Sequence, residues 1–186
     1  MVDLLALWLP IVLSAVFVFV GSSVIHMALP IHRSEYKKLP GEESLLAAMR
    51  EQNVAPGEYV FPCAPSFKEA NTREMQEKYR LGPRGFMTVA PSGTPSLGKP
   101  LALWFLYSLA IGVFVAYAAR ISLPAGTEYL VVFRLTATVA FLAYGAAHIS
   151  NSLWKSVPWI STLKHLFDAL VYGLLTGGTF GWLWPN

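Results

Sequence analysis

Residues Leu4–Leu29 read LLALWLPIVLSAVFVFVGSSVIHMAL, a stretch without Asp, Glu, Lys or Arg. About 20 apolar residues at a rise of 1.5 Å each are needed to cross the hydrocarbon of a bilayer. This stretch is long enough. Its only helix breaker, Pro10, falls in the first turns, where a missing N–H is tolerated. It does not resemble a cleaved leader: Asp3 stands where a basic segment belongs, and no Lys or Arg occurs before Arg33. It is therefore expected to be a retained anchor.

Three further segments follow the same pattern: Leu101–Ala119, Tyr129–Ile149 and Thr162–Trp184. The expected fold is an all-α integral membrane protein, a bundle of four transmembrane helices. Residues 1–29 supply the first helix and 101–186 the other three. Composition agrees, with 54% hydrophobic and 13% charged residues in 186, about half the charge of an ordinary soluble domain. So much apolar surface rules out a disordered chain. A single cysteine, Cys63, rules out an internal disulfide framework. A scattered net charge of +3 gives no basis for nucleic-acid binding.

Between the first and second helices, residues 30–100 have a different composition and are too long for a simple connection. Helical spacing is predicted over Glu42–Gln52 and from Ser66 or Lys68 to Tyr79, with short strands at Glu58–Phe61 and Gly85–Val89. Pro–Gly pairs punctuate them. This small α+β insertion is near the lower size limit for a self-sufficient core. It reads either as a docking module or as a solvated cap.

Twelve of the fourteen Lys and Arg residues fall on the insertion side of the helices; only Arg120 and Arg134 lie on the other. Basic residues stay cytoplasmic. The expected location is a bacterial inner membrane, with residues 30–100 in the cytoplasm and both termini outside.

This topology brings His26, His148, His165 and Asp168 to a similar depth, near the cytoplasmic end of the helices. His165 and Asp168, at i and i+3, share one helical face. Imidazole and carboxylate together suit a transition metal such as Zn, Fe, Mn or Cu, and histidines also ligate haem. The competing reading is structural: Lys164 pairs with Asp168, while Ser22, Ser23 and Tyr144 satisfy His26 and His148. Arg134 is a second intramembrane charge, expected to extend toward the outer interface. Gly173, Gly177 and Gly181, like Ser108, Gly112 and Ala116, repeat at i, i+4 and predict close helix packing.

No HExxH, CxxC, P-loop, dinucleotide fingerprint or GxSxG element is present. Nor is there an internal repeat of the kind transporters carry. The leading expectation is an accessory or scaffold subunit that acts by association, with lipid and other membrane subunits or itself as partners. The second is a metal- or haem-binding membrane redox protein or enzyme built on the His/Asp cluster. The third is a small transporter or channel using Asp168 and Arg134.

Overall fold

The computed structural model describes residues 2–186, which divide into a helical unit, up to Glu35 and from Ser96 onward, and a second unit, Tyr36–Pro95. The division falls inside the expected 30–100 boundary, because residues 30–35 belong to the helical unit.

The helical unit holds four long helices. Helix α1 (Trp8–Ser23) is preceded by a 3₁₀ turn, Leu5–Leu7, and runs into a π-helical turn, Val24–Ala28. Helices α5 (Gly98–Ser122), α6 (Tyr129–Lys155) and α7 (Trp159–Trp182) complete it. Helices α6 and α7 pack antiparallel through glycine. A Cβ built on Gly177 would lie 2.6 Å from Ala137 Cβ, and one on Gly173 3.0 Å from the Ala137 carbonyl oxygen. Gly181 faces Tyr129 in the same way. On the other side, Gly112 of α5 lies against the backbone of Ile11 in α1, and Ser108 and Ala116 are buried beside it. Both small-residue stripes are therefore consumed inside the unit.

Among the described residues, three helices are long and apolar enough to cross a membrane: Leu5–Ala28, Gly98–Ser122 and Tyr129–Lys155. The sequence reading expected four. Helix α7 has the length but not the apolarity, because Lys164, His165 and Asp168 occupy its early turns and Gly and Thr its later ones. Its position explains how that composition is accommodated. Ten of its residues are buried, against six on each of α1, α5 and α6. Among them, Thr176 and Thr179 are covered by the surrounding structure. Thr162 of α7 and Ser152 of α6 share a buried 2.5 Å hydrogen bond.

In the second unit, α2 (Glu42–Glu51) precedes strand β1 (Gly57–Phe61), and β2 (Gly85–Val89) pairs with β1 antiparallel, Tyr59 opposite Met87. The single helix expected up to Tyr79 is instead two, α3 (Phe67–Ala70) and α4 (Arg73–Leu81). The break has a local cause. Thr72 Oγ1 accepts from the Met75 amide and caps α4, while Ser66 caps α3 through the Glu69 amide. Two N-caps six residues apart favour two starts over one continuous helix. On exposed α4, hydrogen bonds from Lys78 and Arg80 hold the Glu74 and Glu77 carboxyls below their ordinary range.

Candidate metal centre

All four histidines of the chain gather at one end of the helical unit. They reach it by different routes. His26 sits in the π-helical turn that ends the first helix, where the Leu29 amide bonds back to Val24 and the backbone widens. Such turns recur at functional sites because they re-aim side chains that a regular helix would project elsewhere. Beyond Pro30 the chain makes two tight turns, Arg33 to Pro30 and Glu35 to His32, which fold His32 and Glu35 back under the start of α7. Helix α7 contributes His165 and Asp168, and the last turns of α6 contribute His148.

Asp168 is the centre. Its carboxylate is only 4% exposed, and Oδ2 has three imidazole nitrogens around it: His32 Nε2 at 3.0 Å, His26 Nε2 at 3.6 Å and His165 Nδ1 at 3.7 Å. His32 Nε2 has hydrogen-bonding geometry only toward the other oxygen, Oδ1, at 3.3 Å. Oδ2 itself has no hydrogen-bond partner among the described residues. The donor atoms of His26, His32 and Asp168 all lie within 4.8 Å of one another.

Glu35 forms a second layer. His32 Nδ1–H donates to Glu35 Oε1 at 2.7 Å, and His165 Nε2 lies 3.8 Å from Glu35 Oε2. The Glu35 side chain is 8% exposed and that of His32 11%. A carboxylate on one imidazole nitrogen fixes the tautomer and turns the other nitrogen's lone pair toward an ion. A positive charge beside two carboxylates this deeply buried would offset the cost of removing them from water.

His148 is held one ring further out, stacked on His165 at a centroid distance of 4.3 Å. The other expected site residues lie elsewhere. Arg134 is exposed on the outer face of α6. Lys164 donates to Ser34 Oγ at 2.8 Å, so the expected Lys164–Asp168 pair is replaced by a contact with the folded-back segment. Ser22 and Ser23 turn their hydroxyls to the Phe19 carbonyl, and Ser22 accepts from Trp104 Nε1, so neither acts as a cap for His26.

Sequence reasoning passed over His32 and Glu35, which lie past the end of the apolar run and were assigned to the insertion. The available signal was their i, i+3 spacing directly after Pro30, six residues beyond His26. Beside the carboxylate a cavity of about 210 Å³ opens between His26, His148, His165, Trp104, Tyr107, Tyr144 and Tyr172. Comparison of the chain with protein-family models, curated proteins and solved structures finds no match in any of the three.

Proposed function

We propose that the chain is a membrane metalloprotein holding one divalent transition ion, with His26, His32 and Asp168 as protein ligands and His165 beside them. The observation that carries this reading is the Asp168 oxygen facing three imidazole nitrogens without a hydrogen bond. In a tetrahedral site with bonds of about 2.1 Å, neighbouring donors stand about 3.4 Å apart. The separations from Oδ2 to the two ligand nitrogens, 3.0 Å for His32 and 3.6 Å for His26, bracket that value. An ion also balances the paired carboxylates. The competing balance, an imidazolium at His32 between Glu35 and Asp168, would leave Oδ2 in an ion pair at 3.0 Å but without a hydrogen bond. Imidazole with carboxylate suits Zn(II) or Fe(II). A cavity of about 210 Å³ is smaller than even drug-sized pockets of about 300 Å³ and upward, which argues against haem.

In this reading α7 crosses the bilayer as a fourth span, hidden from lipid by the other three. The site then sits at the cytoplasmic end of the bundle, in a bacterial inner membrane with both termini outside. The excess of basic residues on the side of residues 36–95 supports that orientation. Cys63, exposed and the chain's single thiol, tests it. A membrane-impermeant maleimide should label it only after the inner membrane is opened, and labelling of intact spheroplasts overturns the orientation.

The metal reading is tested by elemental analysis of protein purified without chelator and dialysed against Zn(II) or anaerobic Fe(II). About one ion per chain is expected. His26→Ala, His32→Ala and Asp168→Asn should each lose most of it, whereas Lys164→Ala should keep it. Size-exclusion chromatography and circular dichroism establish that the variants remain folded. Wild-type protein that takes up no ion removes the proposal.

Action by association, as an accessory subunit, keeps one specific support. None of residues 36–95 is buried, and Tyr59, Val60, Phe61 and Phe86 expose apolar surface there. The small-residue helix faces no longer support it, because the bundle itself uses them.

A further inference from the structure

Three protein ligands on a tetrahedral ion leave one position open, and open positions distinguish catalytic from structural sites. The cavity of about 210 Å³ borders the ligand set at His26 and Asp168. Tyr172 lies one helical turn beyond Asp168 on the same face of α7 and lines the same cavity. Its side chain is buried, the residue being only 4% exposed, and its hydroxyl has no hydrogen-bond partner among the described residues. A phenol is rarely buried in this way unless something outside the chain completes it.

We infer that this cavity seats an exogenous ligand of the ion, a small anion or a water-derived oxygen, with the Tyr172 hydroxyl donating a hydrogen bond to it. The inference rests on the metal reading above. Volume limits the ligand's size: at about 30 Å³ per water, the space holds roughly seven waters, or an anion of a few heavy atoms. Chemistry limits its charge, because a divalent ion and a hydroxyl donor both favour negative oxygen or nitrogen. Trp104 packs edge-on against Tyr172, and Tyr144 packs against both, so aromatic rings form one side of the space. Tyr172 is a binding residue here, and His148, stacked on His165, lies at hand on the same wall.

Cobalt(II) and azide supply the test, since Co(II) replaces Zn(II) with visible bands that report its coordination. Azide added to the Co(II)-loaded, detergent-solubilised protein should change those bands saturably. Tyr172→Phe, which keeps the packed ring, should leave cobalt stoichiometry intact and weaken azide binding about tenfold, the value of one hydrogen bond to a charged group. Tyr117→Phe serves as the control, because Tyr117 is exposed on α5 away from the cavity, and it should bind azide as the wild type does. Cobalt uptake with bands indifferent to azide, or undiminished azide affinity in Tyr172→Phe, overturns this inference alone. Failure to take up cobalt, zinc or iron overturns the metal reading and this inference with it.

Discussion

The two units of this chain obtain order in opposite ways. The helical unit has a dense interior in which polar atoms are placed with care: Thr136, Thr162, Thr176 and Ser108 are buried, Thr136 and Ser108 donate to helix carbonyls, and Thr162 shares a hydrogen bond with Ser152. Residues 36–95 have clear helices, caps and a hairpin but no buried residue at all. Local signals are sufficient to write secondary structure. They do not create a core, which requires apolar surface from several elements to meet. The difference shows why one unit is able to hold two buried carboxylates while the other displays its apolar side chains.

The largest expected effect lies where helices approach most closely. Gly177→Leu drives a side chain into Ala137 and the Phe133 carbonyl. It should cost about 3 kcal/mol or more and abolish folded protein in detergent. Leu174→Ile, on the exposed face of the same helix, should shift the melting temperature by no more than a degree or two. Equal effects from both would mean that α6 and α7 are not in tight contact. Next in size is Thr162→Val, which keeps the shape but strands the Ser152 hydroxyl in a buried site. About 1–3 kcal/mol should be lost in chemical denaturation. Smallest is Phe86→Ser on the hairpin, half exposed opposite Val60. It should change the stability of the helical unit by less than about 0.5 kcal/mol. A cooperative loss of both units on that substitution would show that residues 36–95 contribute to the global fold.

Much of this was legible in the sequence. Apolar runs announced α1, α5 and α6, because lipid-facing helices must be apolar around most of their circumference. The i, i+4 glycines marked a close-packing face on α7 but did not name α6 as its partner. What escaped was what depends on tertiary shielding. Helix α7 passes as a span by length and fails by apolarity, because Asp168 and its threonines are covered by neighbours rather than by their own sequence. The break between α3 and α4 was marked by Thr72, whose capping hydroxyl was outweighed by the helical spacing around it. Depth along the helices grouped His26, His148, His165 and Asp168 correctly at one end. Depth carries no information about rotation, so the order of the rings around the carboxylate was not readable. Nor was the return of His32 and Glu35, which depends on two turns after Pro30.

The split origin of the cluster has a consequence for biosynthesis. His26, His32 and Glu35 leave the ribosome well over a hundred residues before Asp168 does. The early half of the cluster must therefore wait, with Glu35 lacking its later neighbour His165, until α7 docks beside α1. An ion captured too soon would meet two imidazoles and no aspartate. Only a chain whose last helix has docked presents Asp168 and His165 to the early residues, so if the cluster holds an ion as proposed, its retention would report that α7 has docked.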